Sequence, residues 1–137
     1  MADLTITAAN LVAGTGATIK TGVAGEAIAA GDAVYIDLTD NGNLKKCQHD
    51  GTAIEADAVG IALAAAADDA TVSYITEGDL CFGTLLTIGT VYVVSATFGL
   101  IAVAADAGSS DYLTILGVAT GTAVLSVKIV TSENAIA

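Results

Sequence analysis

The stretch Ala33-Val34-Tyr35-Ile36-Asp37-Leu38-Thr39-Asp40-Asn41-Gly42-Asn43-Leu44 decides the reading of the fold. Its first half is β-branched and aromatic and follows Gly31-Asp32, while its second half is a run of turn formers. Branched and aromatic side chains suit a pleated, half-buried surface. Asn-Gly supplies the positive φ angles that a hairpin turn needs. The expectation is a strand over 33–38, a tight turn over 40–43 and a return strand over 44–48.

Outward from this hairpin the same grammar continues. A polar loop over 49–57 leads to the apolar run Ala58-Val59-Gly60-Ile61-Ala62-Leu63, then to an alternating strand over 70–76 that ends in a turn at Glu77-Gly78-Asp79. Four alanines at 64–67 leave a helical turn over 64–69 as an alternative there. The second half repeats the order. A strand over 88–94, a turn at Ala96-Thr97-Phe98-Gly99 and a return over 100–103 come first; a polar loop over 106–111 and strands over 113–119 and 123–130 follow.

At an offset of 57, Val34-Tyr35 falls on Val91-Tyr92, Gly42 on Gly99, Gly51 on Gly108, Gly60 on Gly117 and Ala62 on Ala119. Ile36, Leu44, Ile61 and Val72 fall on Val93, Ile101, Val118 and Ile129, apolar on apolar. The shared glycines sit at turns or strand breaks and the apolar positions within strands, the mark of a duplicated β-unit. Short strands with glycine turns predict an all-β chain, an antiparallel β-sandwich or small β-barrel. Residues 25–137 read as one β domain with pseudo-repeats 25–80 and 82–130. Residues 1–24 are small, Gly/Thr-rich and without clear period, and read as an extended N-terminal arm or an edge strand.

Composition narrows the function classes. The chain has 137 residues, four lysines, no arginine, fifteen acids and a net charge of −11, yet 54% of it is hydrophobic. Disorder is excluded, because disordered chains join charge to low hydrophobicity. Four lysines do not make a phosphate-neutralising surface, so direct nucleic-acid binding is not expected. The N-terminus lacks the basic and apolar regions of a signal peptide, and the longest apolar run, 58–67, is about half of what spans a bilayer. A soluble protein made in a cytoplasm is expected, with no membrane partner. Much of the apolar content is Ala and Val, which bury little area each, so oligomerisation is an expected source of added stability.

Chemical motifs are sparse. Cys47 and Cys81 have no metal-ligand spacing; a disulfide and two thiols both stay open. His49, next to Asp50, has no nucleophile setting around it and reads as a solvated loop residue. The run Asp37 to Asn43 has the look of a calcium loop, but Gln48 stands where the bidentate Glu belongs, and a hairpin turn explains the residues. Asp68-Asp69 and Glu77-Gly78-Asp79 read as solvated turns, and Gly14-Thr15-Gly16 lacks the ending of a phosphate loop. Tyr35 and Tyr92, at equivalent repeat positions, are candidates for packing or for a subunit interface. The expectation is a non-enzyme without metal or cofactor.

The cadence Gly25-Glu26-Ala27-Ile28-Ala29-Ala30-Gly31-Asp32-Ala33-Val34-Tyr35, then Gly42, then Ala58-Val59-Gly60-Ile61-Ala62 resembles small bacteriophage head decoration (capsid cement) proteins. The resemblance covers roughly 22–130 and is clearest over 25–80. It implies a homotrimer on the outer capsid surface that clamps neighbouring major capsid subunits, without an active site, assembled in the host cytoplasm and carried on the virion. Residues 1–24 would correspond to the arm that grips the shell, with Leu4, Ile6, Leu11, Val12 and Ile19 as its candidate capsid contacts. The alternative is a carbohydrate- or receptor-binding β-module using the loops 49–57 and 106–111, with His49, Asp50 and Asp111 as candidates.

Overall fold

Ten strands and one short α-helix, besides a 3-10 turn at Ala8–Asn10, form in the computed structural model, which describes residues 4, 6–48, 53–83, 85–95, 99–103 and 112–135. In chain order they are β1 (Val12–Ala13), β2 (Thr18–Val23), β3 (Ala33–Asp37), β4 (Asn43–Lys46), α1 (Ala53–Ala56), β5 (Gly60–Ala62), β6 (Thr71–Cys81), β7 (Val91–Val94), β8 (Ile101–Val103), β9 (Tyr112–Ala119) and β10 (Val124–Ala135). The fold is all-β and its pairing is antiparallel throughout the named strands.

The deciding hairpin forms where expected. Val34 faces Lys46 and Asp37 faces Asn43, while Asn41 and Gly42 adopt φ of 59° and 73°. The turn is wider than the sequence suggested, because the Gly42 N–H donates to the Asp37 carbonyl at 2.9 Å and takes Leu38 out of the strand.

Strand order across the sheet is β4-β3-β5-β6-β10-β9-β7-β8, a palindrome in which each half presents the same four-strand order outward from the β6–β10 seam. That is the duplicated unit made visible. Registers within it have slipped. Val34 faces Gly60, but Tyr92 faces Gly117, so Tyr92 occupies the place of Val34 and not that of Tyr35. Ala62 faces Tyr74, while Ala119 faces Leu125, six residues earlier than the offset of 57 requires. The cause is the connection: β5 reaches β6 over 63–70, and β9 reaches β10 over 120–123.

Three expectations need correction. Glu77-Gly78-Asp79 is no turn but the middle of β6, which runs on to Cys81. Ile75 is paired by both Ile19 and Ile61, and Leu80 by both Ala13 and Leu125, so both edges of β6 are taken. At its centre Gly78 (φ 103°) lets the strand bend as Gly16 and Ala17 cross it; a Cβ there would collide with the Gly16 carbonyl. Glycine inside a strand often marks such a bulge or close approach. Residues 64–69 form no helix: Ala66 instead exchanges two backbone hydrogen bonds of 2.9 Å with Ile28. The only α-helix among the described residues, α1, lies in the polar loop; four residues are too short for a periodic signal.

Residues 1–24, where described, are an edge strand built into the sheet and not a detached arm. β2 and β1 line one edge of β6 in succession, and the Leu4 N–H donates to the Ile101 carbonyl of β8 at 2.8 Å.

The sheet curls, and its first half is buried on both faces. Ala33, Tyr35 and Ile61 enter a large core with Leu80, Phe82, Tyr92, Leu116 and Leu125. Val34 and Ala62 face the other way, into a smaller core with Ala24, Ile28, Leu44, Ala66, Val72 and Tyr74. The bridge between Ala24 and Leu44 brings the β2 end against β4 and closes this smaller core. Space is tight beside it: a Cβ on Gly22 would stand 2.9 Å from the Leu44 Cδ1. Two-sided burial explains why 33–35 and 60–62 read as unbroken apolar runs.

Candidate interaction surface

The motifs that looked chemical are spent on structure. In the β3–β4 turn the Thr39 hydroxyl and N–H donate to Asp37 Oδ1 at 2.6 and 3.0 Å, and the Lys45 ammonium stands 3.1 Å from Asp37 Oδ2 and 3.5 Å from Asp40 Oδ2. The Thr39 hydroxyl, followed by Lys45, holds the Asp37 carboxyl below its usual range. The Lys45 ammonium is thus the charge partner of both carboxylates. Asp68 and Asp69 lie in an exposed turn, with Asp69 at φ 68°. Among the described residues no cluster of His, Cys, Asp and Glu is arranged to hold a metal. His49, Asp50, Gly51, Gly108, Asp111 and Ala96-Thr97-Phe98 lie outside the described residues.

Asp32, which follows Gly31 ahead of β3, is buried and accepts the Ala29 N–H at 2.8 Å. Burial raises its carboxyl above the usual range, opposed in part by that hydrogen bond. The folded state therefore holds this proton more tightly than the unfolded chain. Asp32 contributes stability that is complete below pH 3.8 and is lost as pH rises through the folded value. Asp32→Asn keeps an acceptor for Ala29 without the charge. Urea titrations are expected to show the variant gaining on wild type as pH rises above 3.8; a stability difference that is flat with pH contradicts this.

Both cysteines are free thiols. Burial pushes the Cys47 thiol well up, whereas Cys81 is half-buried. An aromatic disulfide reagent is expected to titrate one thiol per native chain and two after denaturation. Rapid native labelling of both thiols would contradict the buried place of Cys47.

The five candidate contacts of the N-terminal segment divide. Leu11 is 8% exposed, and Leu4 and Ile6 pack against the large core, Ile6 over Gly31, where its Cδ1 comes within 2.8 Å of a Cβ position. Leu11 is thereby corrected from a partner contact to a core residue. Val12 and Ile19 remain exposed, at 57% and 49%. Tyr35 and Tyr92 are both buried in the large core, so they pack within the subunit; the Tyr92 hydroxyl accepts the Thr87 N–H at 3.0 Å.

What sequence reasoning missed is an apolar groove of about 310 Å³ between the β3–β4 turn and the segment around α1. Ile36, Val59, Thr39 and Asp57 line it together with Leu38 and Ile54, which are 84% and 62% exposed. α1 is seated by the Thr114 hydroxyl, which donates to the Ala56 carbonyl, and by the Gln48 N–H, which donates to the Glu55 carbonyl at 2.9 Å. The available signal was Ile54, a large aliphatic residue in a polar loop; Leu38 read as the end of its strand. Only the fold brings the two together.

Among the described residues no helix is long and apolar enough to cross a membrane. The chain matches no family model, no curated protein and no solved structure.

Proposed function

We propose that the protein is a structural component of a bacteriophage virion that binds the outer capsid surface as a homotrimer and stabilises contacts between major capsid subunits. The observation that carries the reading is the exposed apolar groove flanked by Leu38 and Ile54, on a fold whose polar motifs serve its own turns. Large aliphatic groups held in solvent around a concave surface suit docking onto another protein. The cadence shared with head decoration proteins adds support, since its residues serve the scaffold: Gly31 lies under Ile6, Asp32 caps its turn, Tyr35 fills the core and Gly60 lets β5 approach β6 closely. An acidic chain also stays off DNA while heads fill.

Light scattering is expected to give a trimer, and the protein added to expanded heads of the phage carrying its gene is expected to bind saturably and raise their disruption temperature. A monomer that ignores such heads at every salt concentration overturns the reading.

A further inference from the structure

The groove between the β3–β4 turn and α1 has a chemistry that narrows its occupant. Its floor, Ile36 and Val59, is apolar, and its walls, Leu38 and Ile54, stand largely in solvent. Pockets for small molecules enclose most of their ligand. Walls this exposed instead resemble the core of a protein interface before docking. A volume of about 310 Å³ accommodates one or two side chains.

The rim is acidic. Asp57 lines the groove, is exposed, and has no ion pair among the described residues. Lys45, the cation of the adjoining turn, is already shared between Asp37 and Asp40. A second copy of this chain is a poor occupant of this rim, since with four lysines and no arginine it has few cations to set against Asp57. Charge complementarity points to a basic partner.

We infer that the groove receives an extended segment of a partner protein, one bulky apolar side chain seated between Leu38 and Ile54 and a neighbouring lysine or arginine set against Asp57. Naming that partner as the major capsid protein rests on the reading proposed above; the groove and the chemistry of its occupant do not. The Thr39 hydroxyl and N–H are committed to Asp37, so the groove recognises its occupant by shape and charge more than by hydrogen bonds.

The test uses the full chain and two readouts. In the first, an acetylated, amidated peptide Gly-Ser-Leu-Lys-Ser-Gly is titrated to about 5 mM, in the range where single-anchor contacts register, and followed by NMR. Saturable shifts confined to Ile36, Leu38, Ile54 and Val59 are expected. They should weaken about fivefold when the peptide lysine becomes glutamate. Asp57→Asn should remove that difference. Absence of shifts at the groove, or shifts indifferent to peptide charge, overturns the inference. So does native mass spectrometry that finds the purified protein carrying a small apolar molecule in the groove.

In the second readout, the double variant Leu38→Ser with Ile54→Ser is compared with wild type for binding to expanded heads, its fold checked by thermal melting. Affinity is expected to fall about tenfold or more. Wild-type binding with an unimpaired double variant overturns the inference and leaves the capsid reading standing. Wild type that does not bind heads overturns the capsid reading, and the peptide titration still judges the groove.

Discussion

Gly78→Ala is expected to destabilise the fold by about 2–5 kcal/mol, as strain at positive φ adds to overpacking against a crossing backbone. Gly78 holds φ 103°, where a side chain is disfavoured, and an added Cβ would stand 2.6 Å from the Ala17 Cα as well as against the Gly16 carbonyl. Neither neighbour is the yielding end of a flexible side chain. Relief requires that the N-terminal strand lift from β6, so the change is local as well as global. Hydrogen exchange in 18–23 should accelerate more than in 112–119. Two controls separate the causes. Gly16→Ala has positive φ (71°) but open space around it, and Gly121→Ala meets nothing within 4 Å. The first should cost about 1 kcal/mol and the second close to nothing. A Gly78→Ala variant with wild-type urea midpoint and slope would show that the strands do not cross as described.

Phe82→Ala is expected to cost about 3–5 kcal/mol, the range for a buried aromatic whose cavity cannot collapse. Phe82 is 2% exposed and lies in the large core just beyond β6, its N–H donated to the Ala123 carbonyl at 2.7 Å. It is one of only two phenylalanines in a chain without tryptophan. A core filled largely by Ala, Val, Leu and Ile has few bulky groups to lose, so one aromatic carries a large share of the buried area. Against a typical total of about 5–15 kcal/mol, the loss brings the domain near its unfolding threshold. Leu38→Ala is the contrast: this side chain is largely exposed, and its truncation should change stability by less than about 0.5 kcal/mol. Equal destabilisation by the two substitutions, measured by thermal and urea unfolding, would contradict the core assignment.

Much of the fold was legible because its signals are local. The hairpin of β3 and β4 was announced by branched residues followed by Asp-Asn-Gly-Asn, and the positive φ at Asn41 and Gly42 follows from those two residue types. The repeat was legible as far as topology, because glycines at turns and apolar residues in strands preserve strand order. Its registers were not legible. Tyr35 and Tyr92 coincide in the aligned sequence but not in the pairing of the sheet, though both side chains reach the large core; a shift of one pairing leaves no mark on turn glycines or apolar residue types.

The candidate site was the least legible part. Leu4, Ile6, Leu11, Val12 and Ile19 look alike as apolar residues in a polar-poor segment, yet the first three turn inward. Nothing in their order distinguishes them; the core they meet is assembled from segments as far apart in the chain as Ala33 and Leu125. Leu38 read as the end of a strand and Ile54 as a lone apolar residue in a polar loop, without any sign that they face each other.

The sequence by itself determined the β class, the turn at Asn41-Gly42, the four-strand unit and its duplication, because period, turn chemistry and glycine placement act between near neighbours in the chain. Only the tertiary structure decided that β6 runs through its acidic segment, that the N-terminal strand crosses it at Gly78, that the first half-sheet is buried on both faces, and that 36–39 meets 54–59 to form a groove. These depend on which surfaces are covered once the sheet curls, and coverage is a property of contacts between distant segments.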